Sequence, residues 1–273
     1  MISTASFVWA GFAMVIGFLL PVLLPVFWRK KTGTRGINYF IGVGTFILFA
    51  LTLEQVLHMI MNSICGEALK ANMTLYALYG GLAAGLFEET GRFLALRFVM
   101  KKDLSKDSAI MYGFGHAGVE CFILQGFSSL SSILSMASIN NGSLEARLAN
   151  LSPEEVAVAR EQMNSMLAAR PYEFGLGGFD RISALILQVF LSVLLYQAIK
   201  NNRNYCYFIA VLIHALVDFL AVYLSSVLLM KTYVVEIILG AISLILLVLL
   251  VRFYRCHSDS NPPAQASDDS SLL

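Results

Sequence analysis

Charged residues are scarce in this chain. Of its 273 residues, only 14% are Asp, Glu, Lys or Arg, whereas 58% are hydrophobic. Soluble domains carry about 25% charged residues, so the composition excludes an ordinary soluble protein. The mean hydropathy of +0.72 indicates a multi-pass protein of the cell membrane, in contact with the lipid bilayer. No basic patch is interleaved with exposed aromatic residues, so we expect no nucleic-acid partner.

Several sequence features of other membrane enzymes are also missing. The chain has only four cysteines, and none forms a Cys-x-x-Cys pair, which argues against a disulfide framework. It has no His-Glu-x-x-His motif of site-2 proteases and no Gly-x-Gly-Asp motif of presenilin-type proteases. The stretch at 126–129, GFSS, lacks the final glycine of the rhomboid Gly-x-Ser-Gly motif. The last apolar run has no lysine of the kind that a retinal protein needs.

Apolar runs of about 20 residues, the length that crosses a bilayer, predict seven transmembrane helices. The predicted spans are 3–28, 37–62, 73–100, 107–137, 181–199, 205–230 and 232–254. We therefore expect an all-α, polytopic bundle over residues 1–255 and a disordered cytoplasmic tail at 256–273. Lys and Arg cluster after the first, third, fifth and seventh spans, which predicts an external N-terminus and a cytoplasmic C-terminus.

One long connection, at 138–180, is predicted to lie outside the membrane. Its sequence Ser152-Pro153-Glu154-Glu155 is a capping box with proline at the first helical position. Apolar residues then recur at helical spacing, which predicts an amphipathic helix. This helix is interpreted either as a lid over a site or as a surface helix that lies on the bilayer.

Three predicted spans carry ionisable residues near their middle. These residues are Glu88, Glu89, Arg92, His116, Glu120, His214 and Asp218. An isolated ionisable side chain at the bilayer centre costs about 2.5–3.5 kcal/mol on insertion scales. We therefore expect these side chains to meet one another, water or a metal ion.

Spacing and depth place these residues in one layer. Six of them form pairs four residues apart, which share one helix face: Glu88/Arg92, His116/Glu120 and His214/Asp218. Counted at about 1.5 Å per residue from the predicted cytoplasmic helix ends, all lie roughly 12–20 Å below the surface. The three helices are therefore expected to converge at this depth.

The residue types in this layer suit a metal centre, because zinc binds imidazole nitrogen and carboxylate oxygen. We expect one Zn²⁺ held by His116, Glu120, His214 and Asp218. Glu88 is then left as the general base for a metal-bound water, while Arg92 orients Glu88 or holds a developing oxyanion.

Other interpretations stay open. A lone intramembrane His or Asp is often only an interhelical hydrogen-bonding group. The same charges suit a relay in a proton- or cation-coupled transporter, and a non-catalytic scaffold or immunity protein of the same fold is a further alternative. Glu54 and His58 lie nearer the outer side and are interpreted as structural, while Gln188 supports the ligands or only bonds helices together.

The motifs EETGR, GHAGVE and HALVD resemble those of the YhfC family of intramembrane metalloproteases, related to PrsW-type proteases and type-II CAAX prenyl endopeptidases. The Glu-Glu-x-x-Arg spacing is similar to PrsW, whereas the prenyl endopeptidases have one residue more before Arg, which argues against a CAAX substrate. Asp180-Arg181 and Gln188 stand where the family has a Glu-Arg pair and often a histidine.

The resemblance implies a role for each motif. Glu88 matches the water-activating glutamate and Glu89 its partner in the doublet. The second motif carries His116 and Glu120, and the third carries His214 and Asp218. The implied activity is a metal-dependent endopeptidase that cleaves a peptide or membrane-protein substrate in or near the membrane.

Overall fold

The structure, a computed structural model, describes residues 1–149 and 152–256, except for the side chains at 145–147 and 256. These residues form helices and no strand. The helices are α1 (Thr4–Thr32), α2 (Ile37–Leu48), α3 (Gln55–Ala71), α4 (Met73–Leu94), α5 (Lys106–Glu120), α6 (Ser128–Asn140), α7 (Ser143–Leu148), α8 (Pro153–Ala168), α9 (Glu173–Lys200), α10 (Tyr205–Val222) and α11 (Thr232–Cys256). The predicted tail lies outside the described residues, apart from Cys256, which ends α11.

The predicted all-α membrane fold is confirmed. Within the described ranges, six helical stretches are long and apolar enough to cross a membrane. They are Thr4–Thr32, Ile37–Ala71, Lys106–Asn140, Glu173–Lys200, Tyr205–Val227 and Thr232–Arg255. The remaining predicted span, 73–100, is helical from Met73 to Val99 but carries the charges of Glu88, Glu89 and Arg92. Which helix ends face the cytoplasm stays a prediction from the distribution of Lys and Arg.

Polar caps fix where several helices begin. Ser105 and Ser152 each form a capping box, in which the hydroxyl accepts from a backbone N–H of the first turn. The second box, with Pro153 at the first position, starts α8 as the sequence predicts. Met166 of α8 packs beside the buried cluster of Ile2, Ala10 and Met136. The helix therefore rests on the ends of α1 and α6.

Four helices are extended by π-helical segments close to the ionisable residues. The segments are Phe49–Glu54, Ala95–Val99, Cys121–Phe127 and Tyr223–Val227. One of them ends at Glu54, and another begins directly after Glu120. A π-helical turn changes the direction of the side chains that follow it and is frequent at functional sites. The seven predicted site residues themselves lie in the regular α-helical parts of α4, α5 and α10.

Close helix contacts in the core depend on glycine. A Cβ built on Gly85 would lie 2.7 Å from the carbonyl oxygen of Val211 and 3.0 Å from the amide nitrogen of Ala215. Likewise, a Cβ on Gly113 would lie 2.9 Å from the Cα of Val189. Small residues permit such close backbone approach in membrane bundles. The glycines therefore bring α4 against α10 and α5 against α9.

We expect Gly85→Ala to destabilise the protein, because the added methyl group meets the backbone of α10. Overpacking of this kind costs about 1–3 kcal/mol. Gly80→Ala on the same helix is the matched control, since nothing lies within 4 Å of a Cβ at that position. Replacing a helical glycine there stabilises by up to about 1 kcal/mol. Thermal unfolding in detergent measures both, and equal melting temperatures would contradict the α4–α10 contact.

Candidate active site

Four helices contribute polar side chains to one buried cluster. Glu88 comes from α4, His116 from α5, Gln188 from α9 and His214 from α10. All four are buried, with relative exposures of 7% or less. The glycine contacts between α4 and α10 and between α5 and α9 hold these helices close enough for their side chains to meet.

Three nitrogen atoms surround one oxygen of Glu88. The Nε2 atom of His116 lies 2.8 Å from Glu88 Oε2, and Gln188 Nε2 donates to the same oxygen at 3.0 Å. The Nε2 atom of His214 lies 3.8 Å from it. The carboxylate of Glu88 is therefore the centre of the cluster.

The second glutamate of the doublet supports a histidine. Glu89 Oε1 lies 2.8 Å from His214 Nδ1, and its other oxygen accepts a 3.0 Å hydrogen bond from Arg92 Nε. The side chains of Glu89 and Arg92 are fully buried. Because Nδ1 is engaged with Glu89, the Nε2 atom of His214 is directed towards Glu88.

The remaining donors of Arg92 hold α9. Its Nη1 donates to the carbonyl oxygen of Gln188 at 2.8 Å and to Ser192 Oγ at 2.6 Å. Its Nη2 donates to Gln188 Oε1. This bond fixes the Gln188 amide, so that its nitrogen faces Glu88 on the other side. Among the described residues, Arg92 makes no hydrogen bond to Glu88.

The other two predicted ligands differ in their surroundings. Glu120 Oε1 accepts a 2.6 Å hydrogen bond from Arg181, which also pairs with Asp180. The other oxygen of Glu120 is 3.3 Å from Gln188 Nε2. Asp218 Oδ2 lies 3.6 Å from His214 Nε2, and its side chain is 39% exposed. Asp218 is thus beside the histidine, while Glu120 is held by a cation.

A cavity of about 170 Å³ lies beside these residues, and we call it the site cavity. It is lined by Glu88, Glu120, Asp180, Arg181, Ser183, Ala184, Leu187, Gln188, His214, Val217, Asp218, Ala221, Leu239 and Ser243. Four carboxylates, the guanidinium of Arg181, the imidazole of His214 and the amide of Gln188 thus share a small space. A substrate group that enters it would meet Glu88 and His214.

The seven predicted site residues therefore lie in one polar region, although their partners differ from those that spacing suggests. Glu88, His116, His214 and Asp218 come together directly. Glu120 joins them through Gln188. The sequence analysis did not identify Ser192 or the contact of Arg181 with Glu120. Ser192 stands one helical turn after Gln188, the only signal in the sequence that places it on the same face.

Comparison with known proteins gives the family. The profile of the family described as YhfC intramembrane metalloprotease matches residues 16–239. The chain belongs to this family. The Bacillus subtilis (strain 168) protein described as "Uncharacterized membrane protein YhfC" is 34% identical over 258 residues, which make up 93% of this chain and 99% of that protein. No solved structure matches the chain.

The family name implies a metal ion. The cluster contains imidazole nitrogens and carboxylate oxygens, which are donor types that bind zinc. His214 has the arrangement that metal-binding histidines use, with one ring nitrogen on a carboxylate and the other directed into the site. His116 presents Nε2 to the same point, and its Nδ1 has no hydrogen-bond partner in the described part of the chain. However, no three His, Cys, Asp or Glu side chains of the described residues already form a metal cage.

Glu54 and His58 form a separate group in this YhfC-family protein. His58 Nδ1 lies 2.6 Å from Tyr79 Oη, and its Nε2 lies 3.1 Å from Glu54 Oε1. The group links the α2–α3 helix to α4, as a structural role requires.

We expect Arg92→Lys to destabilise the protein strongly. Lysine keeps the charge but cannot replace the planar set of donors that binds Glu89, Gln188 and Ser192, and each buried acceptor left without a hydrogen bond costs about 1–3 kcal/mol. Arg97→Lys is the matched control, because Arg97 contacts only the Phe93 ring among the described contacts. Thermal unfolding compares the two variants. If both melt at the wild-type temperature, Arg92 does not organise the site.

Proposed function

We propose that this protein is a metal-dependent endopeptidase that hydrolyses a peptide bond within or beside the membrane. One observation carries the proposal: two imidazole Nε2 atoms and an amide nitrogen surround the Glu88 carboxylate oxygen in a buried, polar cluster. Membership of the YhfC family supports the same chemistry. Substrates of this class are peptides or membrane proteins with an accessible bond at the depth of Glu88.

The two histidines are proposed to hold the metal through Nε2, with a carboxylate as a further ligand. Asp218 is the better placed carboxylate, because it lies beside His214, whereas Glu120 is bound to Arg181. Zinc suits imidazole and carboxylate donors, and it supplies Lewis acidity that lowers the pKa of water and polarises a carbonyl group.

Glu88 is proposed as the general base. Its buried carboxylate takes a proton from the attacking water and passes it to the amine that leaves the peptide bond. The hydrogen bond from Gln188 holds the carboxylate in one position. A fixed carboxylate within reach of the histidines is the arrangement that proton transfer requires.

Glu89 and Arg92 are proposed as positioning residues and not as groups that touch the substrate. Glu89 orients His214 through Nδ1, which also favours the ring form with a free Nε2. Arg92 balances the charge of Glu89 and ties α4 to α9. This assignment differs from an oxyanion role for Arg92, because four of its five N–H donors are already engaged by protein groups.

Glu88→Gln tests the general base. The amide is nearly the same size as the carboxylate but cannot accept the proton, so we expect a folded protein whose rate of hydrolysis falls by about 10²–10⁴-fold. Purified protein is incubated with membranes, and mass spectrometry counts the new peptide N-termini that form with time. A transporter or a scaffold would create none.

Glu67→Gln is the control, since Glu67 is an exposed residue of α3 whose side chain is 98% accessible. It should release the same N-termini as the wild type. New N-termini released by Glu88→Gln at the wild-type rate would refute the assignment of Glu88, and their absence with wild-type protein would refute hydrolysis.

A further inference from the structure

A second cavity, of about 400 Å³, runs between α9 and α11, and we call it the lateral groove. It is lined by Leu176, Phe179, Ile182, Ser183, Ile186, Tyr233, Glu236, Ile237, Gly240, Ser243, Leu244 and Leu247. Both helices are long and apolar enough to cross a membrane. On α11 the lining extends over 14 helical steps, about 21 Å. The lateral groove therefore runs along the direction of a transmembrane helix.

The rim of the lateral groove is apolar and accessible. Ile237 is 67% exposed, Leu244 is 61% exposed and Phe179 is 45% exposed. In a membrane-spanning region these side chains face the lipid, where an apolar helix can also pack. The occupant of the lateral groove is thus expected to be apolar over most of its length.

The lateral groove adjoins the site cavity. Ser183 and Ser243 line both of them. Ser243 Oγ donates a hydrogen bond to the carbonyl oxygen of Ser183 at 3.3 Å, at the long end of the range for such bonds. Only these two small polar residues are common to both linings in the described residues. A chain lying in the groove is therefore next to the site at this point.

One carboxylate oxygen in the lateral groove lacks a hydrogen-bond partner among the described residues. The Oε2 atom of Glu236 is buried and has no hydrogen-bond partner in the described part of the chain. A buried carboxylate oxygen without a hydrogen bond is unfavourable. A donor supplied by the occupant, such as a lysine or arginine side chain, would satisfy it. The chemistry of the groove is thus an apolar strip with one anionic position.

We propose that the lateral groove docks the membrane-spanning segment of a peptide substrate that carries a basic residue opposite Glu236. The segment reaches the site cavity between Ser183 and Ser243. This inference rests on the proposed peptidase function, for which it supplies the substrate class and the route of entry. A cavity of about 790 Å³ lined by His58 and Tyr79 is the competing entrance, but it shares no lining residue with the site cavity.

Photocrosslinking in lipid nanodiscs tests the docking with the full-length protein. The probe is a biotinylated 22-residue leucine–alanine peptide with one central lysine, and its matched partner has leucine instead of lysine. The photoreactive amino acid p-benzoylphenylalanine replaces Phe179 in the lateral groove or, as a control, Leu82 of α4, which is 46% exposed. We expect the lysine peptide to crosslink at position 179 at least about tenfold more than at position 82.

Two substitutions and one control show whether crosslinking depends on the lateral groove. Gly240→Leu places a side chain in the groove where a Cβ has no atom within 4 Å, and it should reduce crosslinking by about tenfold. Gly44→Leu is the matched control, at an exposed glycine of α2 with equally open space, and should change nothing. Glu236→Gln should reduce crosslinking of the lysine peptide by about tenfold and leave the leucine peptide unchanged.

Three results would overturn the docking. The first is equal crosslinking at positions 179 and 82, which indicates lipid-like contact only. The second is crosslinking mainly between two copies of the protein, and the third is blockage by Gly80→Leu in the competing cavity instead of Gly240→Leu. Because crosslinking needs no hydrolysis, it is also measured with Glu88→Gln. Docking without hydrolysis by the wild type refutes only the proposed function, whereas hydrolysis that is unaffected by Gly240→Leu refutes only the docking.

Discussion

The buried ion pair between Arg92 and Glu89 is the interaction on which the rest of the site depends. Neither side chain has any exposed surface, and an unpaired charge in such a place costs several kcal/mol. Arg92 donates four hydrogen bonds, to its own helix and to α9. The second oxygen of Glu89 contacts His214. A single guanidinium thereby fixes the positions of α4, α9 and α10. Glycine contacts allow the helices to approach closely enough for these side chains to meet.

In this arrangement Glu89 forms the ion pair with Arg92, and Glu88 does not. Adjacent residues on a helix point about 100° apart, so the side chains of Glu88 and Glu89 point in two different directions. Glu89 faces Arg92, and Glu88 faces His116 and Gln188. The protein thus separates a carboxylate that maintains the structure from one that is available for chemistry. The proposed function uses that separation, since a general base must not be locked in an ion pair.

Spacing and apolar length predicted most of the fold and the convergence of the ionisable residues in one polar region. The four-residue interval between His214 and Asp218, for example, places both on one face, and the structure shows them 3.6 Å apart. Partners across helices were less predictable. Spacing alone pairs Arg92 with Glu88, but the structure pairs it with Glu89, because the guanidinium turns towards α9. The bond between Arg181 and Glu120 depends on how α5 packs on α9, which the spacing within one helix does not supply.

The central claim is that the two histidines around Glu88 hold a metal ion, and elemental analysis of the purified protein tests it most directly. About one zinc per chain is predicted for the wild type and for His58→Ala, which removes an intramembrane histidine outside the cluster. The double variant His116→Ala plus His214→Ala is predicted to retain little metal while still folded, as judged by its helical circular dichroism and elution volume. Equal zinc in the double variant and the wild type, or no divalent metal in a folded wild-type protein supplied with zinc, would contradict the account.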